Sequence, residues 1–465
     1  MSSTPATPQP APVDPPRAVP DPEAQVNPRG RVVTASLVGT AIEFYDFYIY
    51  ATAAVLVFPV LFFPQDGTGT AELQSLATFA IAFVARPFGS ALFGHFGDRV
   101  GRKATLVASL LVMGVSTVLI GLLPTYASIG VWAPVLLCVL RFGQGLGLGG
   151  EWGGAALLAT ENAPRHRRAL YGSAPQMGAP IGFFVANGVF LGLSAVMSDE
   201  AFLAWGWRVP FVLSALLVVV GLYVRLQLAE TPVFARVAAT ESRERLPLAA
   251  VVRRSPRPLL LGTGAMLATY TLFYLMTVFS LTYGTTPSAD GGLGYSREEF
   301  LVLLLVGVLA FGALVPVAGL VADRFGRRGP LLLTTVAIIA FGLAFPLVLG
   351  DGSQGRVLLF LLVGLGLMGL TFGPMGALLP ELFPPAVRYT GASLAYNLAS
   401  ILGASLAPYF AAWLLGVGGL PWVGAYLAVV GAVTLVALLV SRETRDTDFA
   451  GSGRAVPAGR RSEAG

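Results

Sequence analysis

The chain has 465 residues, of which 55% are hydrophobic and 12% charged, with a mean hydropathy of +0.73 and a formal net charge of +5. A soluble domain carries roughly 25% charge, so a soluble enzyme and a disordered scaffold are both excluded, and a polytopic membrane protein is what remains. A crossing takes about 20 apolar residues, which at about 33 residues per span with its connection leaves room for about twelve spans.

The apolar runs are continuous, as from Ala215 to Val224 and from Leu301 to Leu314, without the ten-residue alternation of a membrane barrel, so the spans are expected to be helical. Residues 1–30 carry nine prolines and almost no large apolar side chain, and are expected to form a disordered tail. That stretch lacks the apolar core of a cleaved signal peptide, so the first span itself is expected to direct insertion. Hydropathy then places spans near residues 33–61, 73–96, 104–124, 131–158, 170–194, 205–227, 258–283, 300–321, 330–349, 356–379, 391–416 and 421–440. The domains expected from this are a six-helix bundle over 31–227, a linker loop over 228–257, a second six-helix bundle over 258–441, and a disordered tail over 442–465. The lone Cys138 lies in an apolar stretch and can form no intrachain disulfide.

Seventeen of the 30 basic residues fall in the connections after even-numbered spans and three, Arg208, Arg297 and Arg356, in the odd-numbered ones. By the positive-inside rule both termini and the 228–257 loop face the cytoplasm, so the positive charge reflects topology and implies no nucleic-acid partner.

The sequence repeats at about half its length. Gly94, Asp98, Arg99, Gly101, Arg102 and Lys103 after span 2 stand in register with Gly319, Asp323, Arg324, Gly326, Arg327 and Arg328 after span 8, an offset of 225 between Asp98 and Asp323. A second pair of strings follows spans 4 and 10, with Glu161, Pro164, Arg168 and Gly172 against Glu381, Pro384, Arg388 and Gly391. The fold class expected is therefore an all-α membrane protein, with twelve transmembrane helices in two six-helix halves related by a parallel repeat. One half of such a protein can rock against the other around a midplane site.

These strings resemble the signature G-x-x-x-D-R-x-G-R-[KR] of the major facilitator superfamily. Within it the chain is similar to the bacterial metabolite:proton symporters, which include carriers of shikimate, citrate, 2-oxoglutarate, and proline or betaine. The supporting strings are Glu43-Phe44-Tyr45-Asp46-Phe47, Ala85-Arg86-Pro87-Phe88-Gly89, Arg141-Phe142-Gly143-Gln144-Gly145, Gly149-Gly150-Glu151-Trp152-Gly153-Gly154, Trp205-Gly206-Trp207-Arg208-Val209-Pro210-Phe211, Glu230-Thr231-Pro232-Val233-Phe234 and Pro380-Glu381-Leu382-Phe383-Pro384. The resemblance implies a proton-coupled importer of a small organic metabolite in a bacterial inner membrane. It implies no enzyme activity, cofactor or metal.

A charge at mid-bilayer is costly, so an ionisable residue there is a functional-site candidate. Counting about 1.5 Å per residue, Glu43, Asp46, Arg86 and Arg141 lie at about one depth. Glu43, Asp46 and Tyr50 are spaced to share a helix face, as are Arg141, Gln144 and Glu151. Two acids are expected to meet two bases in the first half, either as fixed structural pairs or as the coupling site. One of two neighbouring carboxylates in a low dielectric can hold a proton near neutral pH, as a proton carrier requires. With both acids ionised the four charges cancel, and protonating one leaves a net positive site suited to a small carboxylate. Glu43 and Asp46 are thus the proton-coupling candidates, and Arg86 and Arg141 are expected to bind substrate. Tyr50, Gln144, Gln176, Asn187, Tyr270, Tyr274, Tyr396 and Asn397 offer hydrogen bonds either to substrate or to a neighbouring helix.

Phe44, Tyr45, Phe47 and Tyr48 could instead cage a quaternary ammonium. The glycines from Gly145 to Gly154 are expected to let span 4 pack closely on a neighbour. His95 and His166 lie at the cytoplasmic edge as solvated residues. Asp98, Arg99, Arg102, Lys103, Glu161, Arg168, Asp323, Arg324, Arg327, Glu381 and Arg388 are expected to form a cytoplasmic gate. The partners expected are a small-molecule substrate, protons and the bilayer, and a monomer suffices for the mechanism. The rival readings are a proline/betaine-type zwitterion symporter, a drug-efflux antiporter suggested by Gly172-Ser173-Ala174-Pro175 to Gly178-Ala179-Pro180, and a transporter-like receptor.

Overall fold

The computed structural model describes residues 28–64, 70–227 and 247–447. The expected tail up to residue 27, the linker from 228 to 246, which includes the string from Glu230 to Phe234, and the tail from 448 onward lie outside them. The described residues are helical, without strands. Among the described residues eleven helices are long and apolar enough to cross a membrane: span 1 (Gly30–Ala54), span 2 (Ala77–Arg99), span 3 (Lys103–Leu122), span 4 (Trp132–Glu161), span 5 (Arg165–Val196), span 6 (Gly206–Leu226), span 7 (Pro256–Thr285), span 8 (Arg297–Phe325), span 10 (Gln354–Glu381), span 11 (Pro385–Gly418) and span 12 (Leu420–Val440). The ninth is shorter than expected. Its helix Arg328–Leu343 stops and a further turn, Phe345–Leu349, completes the crossing. Pro346 explains the break, because it has no N–H to continue the ladder and its ring obstructs the carbonyl four residues earlier.

Other spans also depart from a regular helix. Span 5 is interrupted at Met177, between Arg168–Gln176 and Gly178–Val196. Spans 7 and 11 each contain a π-helical turn, Leu275–Phe279 and Ile401–Ser405, a geometry that leaves local hydrogen bonds adjustable. Glycine sets the closest approaches. A Cβ on Gly149 would strike the Arg86 carbonyl and one on Gly89 the Leu146 carbonyl, so spans 2 and 4 touch backbone to backbone. Gly172 and Gly376 bring spans 5 and 10, from opposite halves, into the same kind of contact.

The repeated loops lie at the end of the molecule where the described chain begins and finishes, called here the motif end. Gly101 (φ +133°) and Gly326 (φ +91°) turn the chain there in a region closed to side chains, which is why the glycine recurs in both copies. Each copy then reaches across to the other half. Asp98 accepts hydrogen bonds from the N–H groups of Tyr389 (3.4 Å) and Thr390 (3.1 Å) and from Thr390 Oγ1 (2.8 Å). Asp323 accepts from the N–H groups of Ala169 and Leu170, both at 2.9 Å. Both carboxylates therefore cap the exposed N–H groups of a helix start, one at Arg388–Ser400 and the other at Arg168–Gln176. The two contacts are pseudo-symmetric and hold the motif end shut.

The remaining gate candidates surround these caps. Arg327 is fully buried, donates to both Glu381 oxygens (3.0 and 3.1 Å) and reaches Asp323 at 3.2 Å. Arg388 donates to the carbonyls of Pro380 and Phe383, and Arg168 to the carbonyl of Thr447. Lys103 Nζ donates to the Leu226 carbonyl at the end of span 6, and Arg328 to the Leu438 and Leu439 carbonyls at the end of span 12, a further echo of the repeat. Arg99 meets His95 at 3.1 Å, and the Arg324 guanidinium lies 5.3 Å from the centre of the Phe325 ring. The Arg102 side chain lies outside the described residues.

The expected tail boundary at 442 moves outward. Thr444 is buried and donates to Glu381 at 2.6 Å, while Glu443 accepts from the N–H groups of Arg327 and Arg328 in the repeated loop and of Thr444 and Arg445 beside it. Burial raises the Glu443 carboxyl, but these four N–H groups outweigh it and hold it below the ordinary carboxylate value. The expected linker also contains structure, a short helix at Pro247–Arg254 with Ala250 and Val251 buried.

Asp98→Asn replaces the ionised cap by a neutral one at a cost of about 1–2 kcal/mol, a five- to thirtyfold shift toward the opened motif end. A cysteine at Ser173, buried between the halves, is expected to react with a soluble thiol reagent at least about fivefold faster in that background, with insertion unchanged. An unchanged rate would reduce the repeated aspartate to a topology signal.

Candidate functional site

Span 1 supplies the acids, and the structure sends them in different directions. Three residues of α-helix fall about 60° short of a full turn, enough to separate two neighbours on one broad face. Asp46, buried, accepts hydrogen bonds from Ser214 Oγ on span 6 (2.5 Å) and Thr117 Oγ1 on span 3 (3.1 Å), so both of its oxygens are satisfied inside the first half. Glu43, equally buried, has an Oε2 with no hydrogen-bond partner. The ionisable groups within its electrostatic reach are Arg225, Arg86 and Asp46, with Tyr396 from the other half.

The bases also differ from the expected pairing. Among the described residues neither acid lies within salt-bridge distance of Arg86 or Arg141. The arginines rest on aromatic rings instead. Arg86 lies 4.5 Å from the centre of Phe83 and 4.7 Å from that of Phe47. Arg141 lies 3.8 Å from Tyr50, 4.7 Å from Phe47 and 5.0 Å from Phe79, and donates to Gln144 Oε1 at 2.9 Å. Gln144 Nε2 continues to Thr117 at 2.8 Å, so Arg141 reaches Asp46 only through a chain of hydrogen bonds. Ring contacts contribute about 0.5–2 kcal/mol each, less than the several kcal/mol that burying a guanidinium costs. Arg86 Nε and Arg141 Nε and Nη2 have no hydrogen-bond partner, so the site holds under-compensated positive charge.

The second half contributes the facing wall. Tyr274 packs edge-on against Phe83 and Phe273 lies tilted against Tyr48, while Tyr396 stacks flat on Trp152 at 4.0 Å and Tyr270 closes edge-on against Tyr396 at 5.3 Å. The Tyr270 hydroxyl is buried without a hydrogen-bond partner. Arg86 is within electrostatic reach of Tyr48, Tyr270, Tyr274 and Tyr396. Glu43, Arg86 and these tyrosines thus come together where the halves meet.

Four other candidates fasten helices. Gln176 accepts from Trp152 Nε1 (2.7 Å) and donates to the Phe372 carbonyl (2.8 Å), bridging the halves and orienting the indole. Asn397 Nδ2 donates to Ser90 Oγ, the Gly149 carbonyl and the Ser393 carbonyl, leaving its buried Oδ1 without a partner. Asn187 joins span 5 to Thr52 on span 1, and the Tyr50 hydroxyl donates to Thr78 at 2.6 Å.

Sequence reasoning missed Trp152, Tyr48 as a partner of Arg86, and above all Arg225. Trp152 stood in a quoted motif beside Glu151. Arg225 is one of the seventeen basic residues that the sequence assigns to the even-numbered connections, yet it is buried and contacts both oxygens of Glu151. Its position one residue inside the end of span 6, after an unbroken apolar run, was the available signal.

Comparison with known proteins agrees with this architecture. The Major Facilitator Superfamily model matches residues 37–401 and 293–462. The chain is 65% identical over 421 residues to the inner membrane metabolite transport protein YhjE of Escherichia coli (strain K12), covering 90% of this chain and 96% of that protein. It is 37% identical over 394 residues to the shikimate transporter of the same organism, covering 83% and 87%. Its fold is similar to that of the proton:xylose symporter XylE bound to 6-bromo-6-deoxy-D-glucose, with a TM-score of 0.69, 18% identity, and coverage of 88% of this chain and 94% of that one. A family match over most of the chain, a close relative aligned along nearly its whole length and a shared two-half fold lead to one conclusion: the chain belongs to the major facilitator superfamily, and it is a membrane transporter and not an enzyme.

Proposed function

We propose that the protein imports a small organic metabolite, an organic acid first, by proton symport through alternating access across a bacterial inner membrane. The observation that carries this reading is that Glu43 and Arg86 are both buried, each with an unpartnered polar atom, with Tyr396 of the second half within electrostatic reach of both and Tyr270 and Tyr274 within reach of Arg86. Under-compensated guanidinium favours a carboxylate ligand, and a carboxylate that meets both halves can couple its protonation to their rocking. The relatives named as metabolite and shikimate transporters and the fold shared with a proton symporter support the same reading. In it, halves 31–227 and 258–441 rock about the site, Asp98 and Asp323 release the motif end, and both termini are cytoplasmic.

Uptake of labelled organic acids and osmolytes into proteoliposomes, with and without an inward proton gradient, tests the function. Accumulation of an organic acid above equilibrium only with the gradient is expected, and accumulation of none of them would overturn the reading. A zwitterion such as betaine is the second reading, favoured by the clustering of Trp152, Tyr396 and Tyr270 rings between the halves. Orientation has its own test. In a Cys138→Ser background, cysteines at the exposed positions Glu200 and Arg167 are expected to react with an impermeant thiol reagent from opposite sides, Glu200 from outside intact cells. Labelling of both from outside would reverse the orientation.

A further inference from the structure

Arg225 sits at the motif end of span 6, but its side chain runs back into the first half, the direction in which helix geometry tilts side chains. Its Nη1 donates to the Leu106 carbonyl (2.7 Å) and to Glu151 Oε2 (3.0 Å), its Nη2 contacts Glu151 Oε1, and Ser109 donates to Glu151 at 2.8 Å. The guanidinium also lies against span 1. A Cβ on Gly39 would collide with Nη2, so only glycine leaves room for it there. Gly39 is one helical turn before Glu43, on the same stripe of the helix. Arg225 therefore touches span 1 directly beside the carboxylate that carries an unpartnered oxygen.

The charges close around this arrangement. Glu43, Asp46 and Glu151 against Arg86, Arg141 and Arg225 sum to zero when all are ionised, whereas the four charges found in the sequence left Glu151 and Arg225 uncounted. The ionisable groups facing Glu43 are Arg86 from span 2, Arg225 from span 6, Tyr396 from span 11 and Asp46 on its own helix, with Glu151 behind Arg225 on span 4 and Tyr389 within reach of Arg225.

We propose that Arg225 is a counter-ion shared by Glu43 and Glu151, which turns from Glu151 toward Glu43 when Glu43 gives up the coupling proton. The proposal rests on the reading of Glu43 as the proton carrier. In the step, the Glu43 O–H bond breaks, the proton passes to water of the compartment the site then faces, and the carboxylate left behind accepts an N–H of Arg225. Glu151 keeps Ser109 and its remaining contact with Arg225. Neither ionised carboxylate is then buried without a cation beside it, and the net positive charge appears only while Glu43 is protonated. Arg225 is thus a positioning residue for the coupling step.

The test is an infrared titration of the carboxylic C=O band in proteoliposomes without substrate, so that the proton is the only ligand. A band that titrates in the wild type and vanishes in Glu43→Gln identifies Glu43. Glu151→Gln releases Arg225 to Glu43 and is expected to move the midpoint to lower pH. The double variant Arg225→Gln, Glu151→Gln removes the cation without leaving a lone charge, and is expected to raise the midpoint by at least about one pH unit, tenfold in proton affinity. Gly39→Ala changes no charge, pushes the flexible guanidinium off span 1, and is expected to raise the midpoint as well, which guards against loss of folding in the double variant. A Glu43 band that keeps the wild-type midpoint in Glu151→Gln and Gly39→Ala overturns the counter-ion while leaving Glu43 as proton carrier. A titrating band that persists in Glu43→Gln overturns the proton-carrier reading, and the counter-ion with it.

Discussion

Glu43→Gln is expected to abolish uphill accumulation while leaving counterflow, in which loaded carriers exchange substrate without releasing a proton. A one-unit inward pH gradient is worth about 1.4 kcal/mol per proton, so about tenfold accumulation at one proton per substrate should fall to equilibration. Glutamine keeps the shape and a hydrogen-bonding oxygen, so the loss belongs to the exchangeable proton. Asp46→Asn is expected to be milder, because the Asp46 oxygens are held by Ser214 and Thr117 inside one half. Contacts within one half change little as the halves rock. Glu43 lies within electrostatic reach of Tyr396 of the second half as well as of groups of its own half, so its surroundings are expected to change in every cycle. Gradient-driven accumulation that survives in a Glu43→Gln, Asp46→Asn double variant would move the coupling site elsewhere.

The contrast between these two acids marks the limit of what the sequence carries. Span number, helical class and the two-half repeat were legible because apolar length and the spacing of Asp98 against Asp323 report directly on crossing and duplication. Gly101 and Gly326 were legible for the same reason, since a backbone with positive φ admits almost nothing else. The depth of Glu43, Asp46, Arg86 and Arg141 was also readable. Their partners were not. Which neighbour a carboxylate meets depends on helix rotation by tens of degrees, and that is set by tertiary contacts such as Gly149 on the Arg86 backbone and Gly172 on Gly376. Arg225 illustrates the converse error. A basic residue one position from a span end reads as a topology marker, although its long side chain reaches Glu151 in the interior. Gln176 and Asn397 were legible as polar residues in membrane helices, but not as the bolts between helices that their hydrogen bonds make them.

Replacing Arg86 by Gln is expected to weaken substrate binding more than the same change at Arg141, at every pH tested. Both guanidiniums are buried and both lie on Phe47. Arg86, however, is within electrostatic reach of Tyr270, Tyr274 and Tyr396 of the second half, whereas Arg141 is within reach of Tyr274 alone, so a ligand bound between the halves meets Arg86 first. Loss of one charge-assisted hydrogen bond costs about 1.5–3 kcal/mol, or about tenfold to about 150-fold in Kd. Arg141 faces Tyr50, Phe79 and Gln144 within the first half, and its hydrogen bond holds the chain from Gln144 through Thr117 to Asp46. Its loss should therefore lower stability and turnover through Asp46 before it lowers affinity. Equilibrium binding of the transported acid to purified protein separates the two, because it reads affinity apart from turnover. Equal loss of affinity in Arg86→Gln and Arg141→Gln would show that the ligand bridges both guanidiniums across Phe47. Unchanged affinity in Arg86→Gln would remove the carboxylate-binding role from the meeting point of the halves and leave the aromatic wall, with Trp152 stacked on Tyr396, as the recognition surface.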